Sequence, residues 1–523
     1  MRSDDGEPGD PDAAMVGVME LDRAGCYRAL RARDARFDGR FFVAVRSTGI
    51  YCRPICPARC PELANIVFYR SAAAAQEAGF RPCLRCRPEC SPKLVAWRGT
   101  AKTVSRALGL IAGGALDGER ADVGALVSQL GVGERQLRRL FRRHLGASPI
   151  AVAQTKRVLF AKQLLHETRL RMIDVSLAAG FGSVRRFNAV FRRLYGRPPS
   201  ALRRRTSAAA ASPHEGSSIT LTLSYAPPYD WPAMIGFLAA RAIPGVEVVE
   251  PCRYLRSMDI DGCHGTVEVA PSTRRNALVA TICFAAVRAL PAIVERIRRV
   301  FDLGADVGTI TAQLAEDPRL APLIAARPGL RVPGAWDGFE LAVRAILGQQ
   351  ITIGAARRLA AKLVAAHGEP AAFDAPGLSA VFPRPERLAA AGPVSLASLG
   401  MPRARAAALV ALARAAAADP HLFDADGDLD TAVARLRSLP GIGAWTAQYI
   451  AMRALREPDA FPAADVGLLR AMVGAGGARP SPAALLARAE AWRPWRAYAA
   501  QHLWTSGVAI LDPMPTVRQH AVA

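Results

Sequence analysis

Seven of the ten cysteines fall before residue 91, and four of them are spaced for a metal. Cys52 and Cys56 form a C-x3-C, Cys83 and Cys86 a C-x2-C, and 26 residues separate the pairs. Two such pairs can close a tetrahedral thiolate site around Zn²⁺. Cys60 and Cys90 extend the C-x3-C spacing on either side, so spacing alone leaves the ligand set open. Free structural thiols are the plain alternative, which clustering of this density disfavours. A second constellation lies far downstream in Leu439-Pro440-Gly441-Ile442-Gly443-Ala444-Trp445. Its glycines, set between two helices, let backbone amides approach a DNA phosphate at a helix N-terminus. Asp465 follows Gly443 by 22 residues and is the only carboxylate in FPAADVGLL. Taken alone, such an Asp is most often a surface helix cap.

The elements that must position these groups are readable. Short apolar runs such as Phe41–Val45 predict strands around the cysteines. Residues 100–205 carry helical periodicity and two helix-turn-helix patterns in tandem. The first is Val123–Leu130, a turn at Gly131 and a helix from Glu134 to Leu145; the second is Ile173–Ala179, a turn at Gly180 and a helix from Ser183 to Tyr195. Apolar stripes (Leu137, Leu140, Phe141; Phe187, Val190, Phe191, Leu194) face away from Arg135, Arg138 and Arg142, and from Arg185, Arg186, Asn188 and Arg192. Helices of this kind suit a DNA major groove. Alternation at 219–225 and 265–271 predicts strands, with a helix around Met234–Arg241 between them. From about 300 to 513 the pattern is almost entirely helical, and helices Thr431–Ser438 and Trp445–Leu455 flank the glycine hairpin.

The chain has 523 residues, room for three or four domains. With 68 Lys+Arg against 45 Asp+Glu it carries a formal charge of +23, which points to a polyanionic partner, nucleic acid first. The footprint is local: Gly131–Arg205 holds 18 basic residues and three acids. The mean hydropathy of +0.12 reflects alanine. No uninterrupted apolar run reaches 18 residues, so no membrane span is expected. The start, MRSDDGEPGDPD, lacks the apolar stretch of a secretory signal. A cytoplasmic protein is expected, and clustered cysteines there bind metal more often than they form disulfides.

STGIYCRPICPARC and AGFRPCLRCRP resemble the N-terminal zinc domain of Ada-type adaptive-response proteins over about residues 21–92. The resemblance implies that Cys52, Cys56, Cys83 and Cys86 hold one zinc. It also implies that Cys52 accepts a methyl group from a DNA methylphosphotriester, with Cys60 and Cys90 as bystanders. Metal binding holds sulfur as thiolate, the nucleophilic form. Methylating one of four thiolates takes the site from doubly to singly negative and weakens repulsion from phosphate, so repair becomes a DNA-affinity switch. AAGFGSVRRFNAVFRRLYGRPPSALRR resembles the AraC-type DNA-binding domain. The Pro-Cys-His-Arg motif of O6-alkylguanine transferases, which follows in Ada proteins, is absent.

PPYDWPAMIGFLAARAIPGVE, FDLGAD, ARPGLRVPGAWDGFELAVRAILGQQ, LGMPRARAAAL and AWRPWRAYAAQHLW resemble AlkA-type helix-hairpin-helix glycosylases over about 218–513. The implied fold is multidomain: a small α+β zinc domain (21–93), an all-α tandem helix-turn-helix domain (94–205), a TATA-binding-protein-like α+β subdomain (218–300) and an all-α helix-hairpin-helix glycosylase domain (301–513). A disordered tail at 1–20, a linker at 206–217 and a tail at 514–523 complete it. Position by position, the resemblance makes Asp465 the catalytic carboxylate, Gly441 and Gly443 the phosphate contacts, and Trp445, Tyr449 and Trp504 the flipped-base pocket. The wedge position falls on Gln350, where the family has leucine. A cationic 3-alkyladenine leaves as a neutral base, so the main need is a carboxylate facing the sugar cation and electron-rich aromatic walls. Trp445 stands where lyases of this fold keep a Schiff-base lysine, and no C-terminal cysteine quartet exists, so neither lyase chemistry nor an iron–sulfur cluster is expected. Expected partners are alkylated and promoter double-stranded DNA, with RNA polymerase a further one, in a bacterial, nucleoid-associated setting. The rival reading is a transcription regulator whose glycosylase half only binds damaged DNA.

Overall fold

The computed structural model describes residues 22–92, 101–117, 122–203, 218–424, 428–473 and 477–506. The tails expected at 1–20 and 514–523 and the linker expected at 206–217 lie outside the described residues.

The cysteine-bearing unit sets helix Arg23–Ala32 beside a four-stranded sheet of order β3-β1-β2-β4. Its strands are β1 (Phe42–Val45), β2 (Ile50–Cys52), β3 (Ile66–Tyr69) and β4 (Arg81–Pro82). β2 and β4 run parallel with Tyr51 opposite Pro82. The next residues along, Cys52 and Cys83, are therefore brought side by side.

Both helix-turn-helix patterns form, as Val123–Leu130 with Glu134–Leu145 and Met172–Ala178 with Val184–Tyr195. Leu137, Leu140 and Phe141, and Phe187 and Phe191, are buried as their spacing requires. Val190 and Leu194 pack at the margin of their core. Helix Pro149–Glu167 joins the two units; it opens on proline behind a Ser148 cap that accepts from the Ala151 amide.

The next layer is an antiparallel sheet of order β5-β9-β8-β7-β6: β5 (Ser218–Ser224), β6 (Glu247–Glu250), β7 (Arg253–Ile260), β8 (Cys263–Pro271) and β9 (Ala277–Cys283). Helices Trp231–Arg241 and Leu290–Val300 accompany it, and Leu221, Val267, Ile282 and Ile293 are fully buried. The remainder is helical with one difference from expectation, a hairpin of β10 (Glu369–Ala375) and β11 (Leu378–Val381). Its two-residue turn is Pro376-Gly377. The proline presets the first turn position and Gly377, at φ +80°, supplies the second. The alanine-rich composition hid this turn. The hairpin ties the helical part to the sheet, because the Ser379 amide donates to Gly245 O at 2.8 Å and Ser257 Oγ to Ala380 O at 2.7 Å.

The units share buried junctions. Lys162, with a fully buried side chain, pairs with Glu89 at 2.8 Å and donates to the Cys83 carbonyl at 2.8 Å. Glu167 accepts from Arg87 at 2.7 Å and from the Thr222 amide of β5 at 3.0 Å, while Gln163 donates to Thr222 O at 2.9 Å. Pairing of this kind offsets the cost of enclosing charge. Arg40 reaches Asp306 at 2.7 Å.

Candidate functional site

The sulfurs of Cys52, Cys56, Cys83 and Cys86 all lie within 4.8 Å of one another. Tetrahedral zinc thiolates have sulfur–sulfur edges of about 3.8 Å, so four sulfurs gathered this closely suit the ion. Two backbone amides already point at sulfur: Arg53 N to Cys86 Sγ and Arg85 N to Cys83 Sγ, each at 3.3 Å. Such donors favour thiolate. Arg53 is clamped on Asp38, with Nε at 2.9 Å from Oδ1, and donates to the Cys86 carbonyl at 3.1 Å. Cys56, Cys83 and Cys86 are buried, and Cys52 is the half-buried member. Cys60 is exposed and Cys90 buried, both outside the cluster. Cys90 faces Glu167 at the junction, and burial pushes its thiol up to about 11.

The six arginines expected on the recognition helices are all exposed. Arg138 pairs with Glu134 at 2.5 Å, and Arg142 pairs with Glu77 of the cysteine-bearing unit at 2.7 Å.

In the C-terminal half, helix Leu429–Arg437 leads into the glycine hairpin and helix Ala444–Arg453 leaves it. Gly441 sits at φ +78°, and a Cβ there would lie 2.4 Å from Ala408 Cβ. Backbone conformation and close approach both demand glycine. Gly443 caps the second helix without a side-chain bond, and it and Ala444 are exposed, leaving first-turn amides for an anion.

Asp465 caps helix Val466–Ala471. Its Oδ1 accepts from the Leu468 amide at 3.0 Å and from Trp504 Nε1 at 2.8 Å; its Oδ2 accepts from Trp445 Nε1 at 2.8 Å. Gly467 makes room, because a Cβ would stand 2.9 Å from Asp465 Oδ1 and 3.2 Å from the Trp504 ring. Trp445 stacks on Tyr449 with centroids 5.2 Å apart, and Tyr449 meets Trp504 edge-on at 6.5 Å. These three rings and Asp465 line a cavity of about 1030 Å³. The two expected roles of Asp465, cap and pocket carboxylate, thus coincide in one residue.

Gln350 does not line the cavity. It is exposed at the turn between helices Gly338–Leu347 and Ile353–His367, at φ +59°, a strained value for glutamine. Neighbouring Gln349 fastens this turn to the hairpin, donating to Gly441 O at 2.8 Å and Thr446 Oγ1 at 3.0 Å, while Arg405 holds its carbonyl at 2.6 Å. Sequence reasoning missed Gln349, Gly467, Phe237, Arg241 and Arg453, of which the last three line the cavity. Phe237, Arg241, Gln349 and Gly467 lie inside stretches quoted above, but no spacing signal marks any of the five as part of a site.

Four family profiles match the chain: the metal binding domain of Ada at 25–89, a helix-turn-helix domain at 126–205, the AlkA N-terminal domain at 220–337, and the HhH-GPD superfamily of base excision DNA repair proteins at 343–497. The chain is 41% identical over 490 residues to a probable bifunctional transcriptional activator/DNA repair enzyme AlkA of Mycobacterium tuberculosis, covering 93% of this chain and 97% of that one. It is 39% identical over 283 residues to DNA-3-methyladenine glycosylase 2 of Escherichia coli, covering 54% and 96%. Among solved structures, the 3-methyladenine DNA-glycosylase of Archaeoglobus fulgidus aligns over 54% of this chain and 97% of that chain at 24% identity and a TM-score of 0.48. The chain therefore belongs to the family of bifunctional transcriptional activator/DNA repair enzymes that join an Ada-type zinc-binding domain and a helix-turn-helix domain to an AlkA-type glycosylase.

Proposed function

We propose that this chain repairs alkylated DNA by two chemistries and regulates transcription through its helix-turn-helix domain. The C-terminal half hydrolyses the N-glycosidic bond of 3-methyladenine-type bases. The observation that carries this reading is the Asp465 carboxylate, fixed by two indole N–H groups and a helix amide at the wall of an aromatic cavity. Held this way it keeps its orientation without reorganising as the sugar becomes cationic, and its negative charge stabilises that cation. Trp445, Tyr449 and Trp504 present π faces to the extruded base. Gly441, Gly443 and the hairpin amides anchor the backbone, and Gln350 on its fastened turn fills the place the base leaves. Trp445 occupies the position of the lyase nucleophile, so cleavage stops at the abasic site. The test is release of bases from methylated DNA by wild type and by Asp465→Asn, with strands scored before and after alkali; nicking without alkali, or full activity of the variant, overturns the reading.

In the N-terminal domain, Cys52, Cys56, Cys83 and Cys86 would hold one zinc. When bound it keeps these sulfurs deprotonated at neutral pH. Half-buried Cys52, ending β2, is the sulfur that a DNA methyl group can reach. Its lone pair takes the methyl carbon as the carbon–oxygen bond breaks toward the phosphate, which departs as an ordinary diester. Arg135, Arg138, Arg142, Arg185, Arg186 and Arg192 contact promoter DNA, with RNA polymerase as the downstream partner. The chain works in the cytoplasm at the nucleoid, without an iron–sulfur cluster. Peptide mass spectrometry after exposure to methylated DNA locates the mark: S-methylcysteine at position 52 supports the assignment, and a mark at Cys56 or Cys86 refutes it.

A further inference from the structure

Arg453 is 2% exposed, yet it belongs to the wall of the base cavity. Its guanidinium carbon lies 4.9 Å from the Tyr449 ring centroid, 5.4 Å from that of Trp504 and 4.3 Å from that of Phe237. Nη1 donates to Pro333 O at 2.8 Å and Nη2 to Gln501 Oε1 at 3.2 Å, while Nε is buried without a partner. Both acceptors are neutral, and among the described residues no carboxylate pairs with this arginine. Burial lowers its pKa only to about 10, so it stays charged at neutral pH. Arg241 lines the same cavity, 3.8 Å over Phe237. The charge is felt nearby: burial pushes the Tyr449 phenol up, but Arg453 and then Arg241 outweigh that and leave it lowered.

The pocket is therefore not a bare aromatic cage. Aromatic faces and Asp465 draw in a cationic base; a permanent cation at the back opposes it. We propose that Arg453, assisted by Arg241, sets how the pocket weighs a neutral base against a cationic one. This rests on the glycosylase reading above. When a 7-methylguanine leaves, the electron pair of the C1′–N9 bond cancels the positive charge of the base. Water adds to C1′ and its proton goes to solvent. When a neutral purine such as hypoxanthine leaves, the same electron pair makes the base an anion, and the proton of the added water ends on it. Arg453 gains attraction only in the second case, as negative charge develops on the base, and it repels the bound base in the first.

The experiment compares kcat/KM on duplexes carrying one 7-methylguanine or one hypoxanthine, for wild type, Arg453→Gln, Arg453→Lys and Arg241→Gln. Both substrates are read on the same preparation, so a partly folded variant scales both equally and leaves their ratio untouched. Arg453→Gln is expected to shift the ratio toward 7-methylguanine by at least about tenfold, the scale of one unit charge several ångströms away at a protein-like dielectric. Arg453→Lys should hold it within about threefold, because the charge remains. Arg241→Gln should move it in the same direction by less. An unchanged ratio in Arg453→Gln, or an equal shift in Arg453→Lys, overturns the inference while leaving the glycosylase reading intact. No release of 7-methylguanine by wild type overturns the inference, and no release of any base from methylated DNA overturns the glycosylase reading with it.

Discussion

In the roles proposed above, the thiol cluster and the base pocket both hold negative charge ready for an electrophilic carbon, and they do so by opposite means. In the cluster four sulfurs converge, and backbone amides such as those of Arg53 and Arg85 are too few to offset four negative charges, so holding four thiolates requires a cation from outside the chain. In the pocket one carboxylate is held by three donors the chain itself supplies. In the chemistry proposed above, the first arrangement spends its nucleophile once. The second is built into the packing and, in the same reading, is kept from one turnover to the next. A charge to be consumed can be borrowed, whereas a charge to be reused is better fixed by the fold.

The largest effect expected from breaking this contrast is at the metal. Cys83→Ser, or chelation, should unfold the N-terminal unit, because structural zinc supplies about 10–16 kcal/mol in small zinc domains. Loss of bound zinc by atomic absorption, with base release retained, is the expected pair of results; full zinc occupancy would mean Cys60 or Cys90 replaces the missing sulfur. Next comes Asp465→Asn, which should cost about 3–4 kcal/mol, or two to three decades in single-turnover base release, with DNA binding kept. Trp504→Phe keeps a ring and removes one charge-assisted donor. A loss of about 2 kcal/mol in the same assay would sharpen the comparison, and no loss would mean the indole N–H is dispensable. The smallest effect belongs to Gly441→Ala, where φ +78° and the approach to Ala408 should cost about 1–2 kcal/mol in DNA affinity, read by titration, with bound-state chemistry unchanged.

The same contrast explains what was legible in the sequence. Metal ligands announce themselves because each pair sits on one short turn; spacing showed a metal cluster, and the resemblance to Ada-type domains singled out Cys52, Cys56, Cys83 and Cys86 from Cys60 and Cys90. The hairpin glycines were legible for a related reason, since they share one short turn, whereas Asp465 by itself looked like a helix cap and owed its assignment to the glycosylase resemblance. Phe237 and Arg453 were not legible, because their meeting depends on packing helix Trp231–Arg241 of the sheet subdomain against helix Ala444–Arg453, and in sequence each looks like an ordinary helix residue. Gly467 was invisible for a subtler reason. Its role is the space it leaves beside Asp465, and no periodicity reports empty space. The β10–β11 hairpin was masked by alanine, which suits either backbone when a neighbouring sheet supplies the pairing.

The bonds from Gln163 and Glu167 to Thr222 have a consequence for how this chain can be divided. β5 is the outermost strand of its sheet, and at Thr222 its outward amide and carbonyl are closed by side chains from a helix that precedes it in the chain. Cutting the protein before Ser218 would strip that cover and leave a strand edge ready to template a neighbouring molecule. The helix from the front half thus closes, at this one position, an edge that the sheet by itself leaves open.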